Sequence, residues 1–189
     1  MIYSWKKIVR HGLPLLTVCV LIEIFAGQIL QDRQETLVLF PIFLISIPVI
    51  NGVGGNIGSV LGARLASGLH VGYISISLKD KEMHENLLMS ILLGVVTYII
   101  LSVTIYYIYS TLLSYNSVPI NLSLLKFVSI VLGAGVLLVC VVSIASVFTA
   151  FWSFKKGLDP DDMVAPVVTT VGDMMGIVLL FLLIGLVGI

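Results

Sequence analysis

The sequence predicts an all-α integral membrane protein with five transmembrane helices, its N-terminus inside and its C-terminus outside. Three observations carry that prediction. Of the 189 residues, 59% are hydrophobic and only 11% charged, with a mean hydropathy of +1.16. A soluble domain carries roughly 25% charged residues, and this much apolar surface cannot be hidden in one small core, so the solvent it meets is lipid. The apolar residues also gather in five stretches, about 12–30, 37–66, 87–113, 121–151 and 164–188. Each is long enough to supply the roughly 20 helical residues that a bilayer core of about 30 Å requires. Finally, Lys and Arg are unevenly shared. Lys6, Lys7, Arg10, Arg64, Lys79, Lys81, Lys155 and Lys156 fall on one side of such a topology, and only Arg33 and Lys126 on the other. The basic side is expected to be cytoplasmic.

Each span has its own signature. The first follows Lys6, Lys7 and Arg10, which is also how a signal peptide begins. Glu23 interrupts it, however, and no small-x-small cleavage site follows, so it reads as a retained span. Gln31–Glu35 joins it to the second. That one holds Pro41, Pro48 and five glycines between Pro41 and Arg64. Such a helix is tolerated in a membrane where neighbours satisfy the freed backbone groups or where it lines a cavity. The charged stretch Lys79–Asn86 precedes the third span, Ser114–Ile120 around Pro119 the fourth, and Phe154–Asp162 the fifth. Little chain remains outside the spans, so residues 1–189 read as a single membrane domain in the cell membrane.

With no net charge, no basic stripe and no aromatic–basic interleaving, the chain offers nothing to a nucleic acid. Cys19 and Cys140 lie inside apolar stretches with no His or Cys at metal-binding spacing, and read as packed free thiols. No organic cofactor is expected.

The polar residues inside the spans point to function. Gly54, Gly58, Gly62 and Ala66 recur every four residues, as do Gly55, Ser59, Ala63 and Ser67. This small-residue face lets another helix approach closely. Helix packing alone accounts for the stripes but not for Asn51 and Asn56, which need partners at that depth. A pore wall, with room and exposed carbonyls, accounts for both. The fifth span carries Asp173 about ten residues past its expected start, about 15 Å in at 1.5 Å per residue. An Asp at that depth costs about 2.5–3.5 kcal/mol on insertion scales and usually faces an ion path. Pro166, Thr169, Thr170 and Asp173 share one face of that helix. The alternative is a protonated structural acid bonded to Asn51 or Asn56.

Glu23 is the other mid-span acid, open to a transport role or to a structural hydrogen bond. Asp159, Asp161 and Asp162 with Pro160 make an ordinary helix start, an N-cap followed by acids at the positive dipole end. They also stand at the mouth of the Asp173 span, where they would concentrate divalent cations. His70, His84, Glu82 and Glu85 read as solvated or interfacial. In addition, Pro48–Gly58 can be laid on Pro166–Gly176 without a gap, placing Asp173 opposite Gly55. Inverted repeats of this kind bracket midplane sites in transporters.

The residues from Pro48 to Arg64, with Asn51 through Ser59 at their centre, resemble the membrane domain of the MgtE family. So do Asp159-Pro160, Pro166, Thr169-Thr170, Gly172-Asp173 and Gly176. Ala66 to Gly72 is similar to the continuation seen in the family's animal solute-carrier relatives, of which this looks like a single-unit form. The resemblance implies transport of divalent cations, Mg²⁺ first, as the carried ion. It implies a homodimer in lipid whose second and fifth helices line the path. It further implies a central metal site built from Asp173 with Asn51, Gly55, Asn56, Thr169 and Thr170; Glu23, Asp159, Asp161 and Asp162, singled out above by their depth and charge, are the secondary candidates. About eleven residues precede the first span, so the large cytosolic sensor of bacterial members is not expected. No enzymatic activity is expected. The competing classes are a metal-dependent membrane enzyme acting on lipid head groups, which would need several carboxylates near the interface, and a non-transporting assembly subunit.

Overall fold

The structure, a computed structural model, describes residues 5–115 and 122–188. The joint expected around Pro119 lies outside these residues. The described residues form helices α1 (Trp5–Asp32), α2 (Gln34–Leu39), α3 (Ile42–Val71), α4 (Lys81–Tyr115), α5 (Leu124–Lys155) and α6 (Pro160–Val187). All but α2 are long and apolar enough to cross a membrane.

The helix limits differ from the sequence reading where local chemistry intervenes. The second stretch, expected over 37–66, is split. Leu37–Leu39 belongs to α2, Phe40 leaves the helical region at φ −130° and ψ 74°, and Pro41 is the N-cap of α3. A proline disfavours the α conformation in the residue before it and has no N–H to continue the ladder, so the break falls there. At its other end α3 runs on to Val71, where Gly72 at φ +89° closes it by donating to the Gly68 carbonyl. α6 starts at Pro160, ahead of the expected residue 164, because Asp159 caps it by accepting the Asp161 N–H at 3.1 Å. Pro160 then takes the first helical position, where a missing N–H costs nothing.

Helices α3, α5 and α6 form the centre, α4 packs on α5 and α3, and α1 lies along α6. The closest approaches use glycines. A Cβ on Gly62 would strike Val164, one on Gly58 would strike Val168 and Val142, and one on Gly54 would lie 2.6 Å from Leu138. Moving up α3 therefore means moving down α6, and the two run antiparallel. α1 and α6 run the same way, since Cys19 reaches Pro166 and Glu23 reaches Thr170. The large side chains Tyr98, Phe43, Phe127 and Leu138 are fully buried between these helices. Many apolar side chains face outward, among them Phe25, Ile100, Ile144 and Phe148, as a lipid-facing surface requires.

Candidate functional site

Asp173 falls at the middle of α6 and is half-buried, on the side turned toward α3 and α1. Opposite it on α3 stands Asn51, buried, whose Nδ2 donates to the Asp173 main-chain carbonyl at 3.1 Å. The other end of the Asn51 amide, Oδ1, is buried without a hydrogen-bond partner among the described residues. It points at Gly176, where any side chain would collide with it. Gly176 is thus what lets the amide lie against α6. Gly55 sits on the next turn, where an added Cβ would touch Thr169 Cγ2 at 3.4 Å, and a Cβ on Gly172 would meet the Gly55 backbone at 3.5 Å. Here two backbones come together with almost no side chain between them.

The repeat alignment gains geometric content from these contacts. It equates Asn51 with Thr169 and Gly55 with Asp173. The pairs Asn51–Asp173 and Gly55–Thr169 are therefore images of each other. The α3–α6 crossing thus joins aligned positions in pairs, with an acid on one side where the other has a glycine.

Glu23 joins the site from α1. Its Oε1 accepts from the Thr170 hydroxyl at 3.4 Å, about one helical turn before Asp173. The two deep acids, which lie on different helices, thus come together. Thr170 is buried by that contact, whereas Thr169 is exposed and its hydroxyl turns back to the Ala165 and Pro166 carbonyls. Asn56 is not part of the cluster. It is exposed on the outer face of α3 with Gly52, Ala63 and Ser67, with Ser59 partly exposed beside them. The two small-residue stripes therefore differ in role. Gly54, Gly58, Gly62 and Ala66 are consumed by packing inside the chain, and it is the Asn56–Ala63–Ser67 face that remains open.

Two supporting residues gave no signal in the sequence. Tyr98 of α4 is fully buried and donates its hydroxyl to the Ile50 carbonyl at 2.6 Å, beside Asn51. Gly135 makes room for its ring, which a Cβ there would strike. Ser146 of α5 places its hydroxyl 2.7 Å from the Gly58 carbonyl and 2.7 Å from that of Val142. Both hydroxyls satisfy carbonyls of the proline- and glycine-rich helix that water cannot reach. A buried Tyr or Ser inside an apolar run reads as core until its partner is known.

Where α3 ends and α6 begins, the chain gathers a second set of polar groups. His70 Nε2 lies 3.6 Å from Asp159 Oδ1, and its ring stacks edge-on against Phe154 at 5.4 Å. One ligand atom each from His70, Asp159 and Asp161 falls within 4.8 Å of the others. Asp162 is exposed beside them. His70, expected from the sequence to be solvated or interfacial, is exposed; its proximity to the acids follows from α3 running on to Val71.

Residues 47–183 match the family model MgtE, described as a divalent cation transporter. The match runs from α3 through most of α6 and includes Asn51, Gly55, Asn56, Thr169, Thr170 and Asp173, while Glu23 lies before it. No curated protein matches the sequence.

Proposed function

The chain belongs to the MgtE family of divalent cation transporters, a multi-pass membrane protein, and from that premise we propose that it carries Mg²⁺ along a path lined by α3 and α6 of a homodimer. The observation that carries this reading is Asp173, half-buried at the centre of α6 with Glu23 beside it and the glycine face of α3 opposite. Two carboxylates at membrane depth are expensive unless a cation neutralises them. Mg²⁺ dehydrates reluctantly and binds through one or two carboxylates while keeping several waters. A wall of Gly52, Asn56 and Ala63 leaves space for that hydrated ion, and the Asn56 amide is available to its water shell. Oxygen donors alone select hard divalent ions over the soft ones that thiolates prefer.

The dimer follows from the open face of α3. Small and polar residues there are exposed on one chain at membrane depth, and a second copy related by a two-fold axis would face them with their like. In that arrangement Asp173 and Glu23 are supplied twice. The proposed orientation, N-terminus inside and C-terminus outside, puts His70, Asp159 and Asp161 at the cytoplasmic mouth. A reporter fused after Ile189 that proved cytoplasmic would reverse it.

The test is Mg²⁺ flux into liposomes containing the purified protein. Saturable flux that Mn²⁺ or Co²⁺ competes for supports the reading, and no divalent flux above empty liposomes rejects it. Hydrolysis of a phospholipid head group by the same preparation would instead favour the metal-dependent enzyme. Among the described residues, that chemistry would have the interfacial set His70, Asp159 and Asp161 to work with.

A further inference from the structure

Away from the α3–α6 crossing, the start of α4 and the end of α5 enclose a groove of about 540 Å³, within the range of small-molecule sites. Its wall is apolar, made by Leu87, Ile144, Val147, Phe148 and Phe151. Ile144 and Phe148 are each 69% exposed, so the groove opens outward, onto the surface that meets lipid. One end is different. Trp152, Lys155 and His84 close it, and no acidic side chain lines it.

We propose that this groove holds one anionic phospholipid, with an acyl chain along the apolar wall and the phosphate at Lys155 and His84. The proposal rests on the membrane placement alone and is independent of the transport reading. Length is the first argument. From Ile144 to Lys155 the helix advances about 16 Å at 1.5 Å per residue, which is about half of a 30 Å hydrocarbon core. The groove is therefore one leaflet deep. Lys155 is the last residue of α5 and Lys81 the first of α4, so its charged end lies at the membrane boundary. Trp152 stands there too, where indole rings settle at head-group level.

Charge is the second argument. Two neighbouring acids are turned to other tasks. Glu85 pairs with Lys81 at 3.4 Å, and the Asp80 carboxylate accepts from Ser75 and from the Met83 N–H. His84 Nδ1 lies 2.7 Å from the Asp80 carbonyl. A carbonyl only accepts, so Nδ1 is the donor there, and Nε2 can donate to a phosphate oxygen when the ring carries a proton on both nitrogens. A basic recess between helices at a membrane surface suits an anionic head group and gives a zwitterionic one less.

The experiment is native mass spectrometry of the intact purified protein titrated with phosphatidylglycerol or phosphatidylcholine of identical chains. Phosphatidylglycerol should be retained about fivefold more strongly, the effect of roughly one cation at a membrane surface. Lys155→Gln should bring the ratio close to one without changing phosphatidylcholine, and His84→Gln should lower it part of the way. Val147→Trp, which fills the apolar wall, should weaken both lipids. Equal retention by the wild type, or an unchanged ratio in Lys155→Gln, overturns the proposal. Displacement of the lipid by millimolar inorganic phosphate also overturns it, since the site would then read phosphate alone.

Discussion

Asn51 donates from its side-chain amide to the main-chain carbonyl of Asp173 across 3.1 Å, so the glycine-rich helix grips the acid-bearing helix at the acid itself. The same amide leaves its oxygen buried over Gly176, with no hydrogen-bond partner among the described residues. A residue kept only for stability would not be expected to strand an acceptor in this way.

Replacing Asn51 by Ala therefore has offsetting effects on stability. The lost hydrogen bond costs about 0.5–1.5 kcal/mol, while removing an orphaned acceptor returns an amount of the same order. Asn51→Ala should melt close to the wild type yet lose most of its Mg²⁺ flux. A variant that melts well below the wild type but transports normally would make Asn51 a packing residue.

The α3–α6 contact should be limited by single methyl groups. The atoms nearest to a Cβ at Gly62 all belong to Val164, whereas those nearest to one at Gly58 belong to Val168 and Val142. Each Gly→Ala change should destabilise by about 1–3 kcal/mol through overpacking. Gly62→Ala should be largely rescued by Val164→Ala, and Gly58→Ala only partly by Val168→Ala. Thermal melts of the four variants decide it. Equal rescue in both pairs would contradict the contact geometry.

Asp80 gives a pH-dependent handle outside the spans. Its carboxylate accepts from the Ser75 N–H and hydroxyl and caps α4 through the Met83 N–H. These bonds, the one from the Ser75 backbone first, hold its pKa down at about 2 against an ordinary 3.8. A depressed carboxylate contributes stability that is complete above its unfolded pKa and is lost as pH falls through the folded one. Asp80→Ala should therefore melt lower than the wild type by a constant margin from pH 7 to pH 5. That margin should shrink between about pH 4 and pH 2. A margin that persisted unchanged at pH 2 would mean that the charge of Asp80 is irrelevant to the turn.

The five helices were legible because hydropathy in lipid is a strong, length-limited signal, and Asp173 was legible because a carboxylate in such a helix is so costly. The division of α3's stripes was not legible. Gly58 and Asn56 are both small or polar residues at helical spacing, and only the position of Val168 and Val142 tells which faces inward. Tyr98 was hidden for the same reason: nothing in the run from Val95 to Leu101 indicates that its hydroxyl reaches the Ile50 carbonyl. The break at Phe40 was in principle readable from Pro41, but the unbroken hydropathy on either side outweighed it. Glu23 and Asp173 were each visible alone; their meeting depends on α1 lying along α6, a tertiary fact.

If α3 lines a two-fold interface, single cysteines should cross-link between copies on its open face only. Asn56→Cys, Ala63→Cys and Ser67→Cys are exposed and should trap dimers in the membrane. Gly58→Cys and Gly62→Cys face α5 and α6 and should not. Cross-linking with no dependence on helical face, or a monomer that transports, would exclude the proposed dimer.

The last prediction concerns Asp173. Asp173→Asn keeps the size of the side chain and leaves untouched the main-chain carbonyl that Asn51 grips. Folding and assembly should therefore survive. The charge is lost, and with it one of the two carboxylates, Asp173 and Glu23, that this region would offer a cation. If the pair holds a divalent ion, flux should fall by at least tenfold, corresponding to about 1.4 kcal/mol or more of lost interaction. Glu23→Gln should have a smaller effect in the same direction, since Glu23 is more exposed and is shared with the Thr170 hydroxyl. A structural acid predicts the opposite pattern: Asp173→Asn nearly neutral, Asp173→Ala destabilising by orphaning its partner. Asp161→Asn, at the exposed mouth, should raise only the Mg²⁺ concentration needed for half-maximal flux, and less so at high ionic strength, where such charges are screened. Wild-type flux in Asp173→Asn would remove the central site from this position, because no other change at residue 173 separates charge from shape so cleanly.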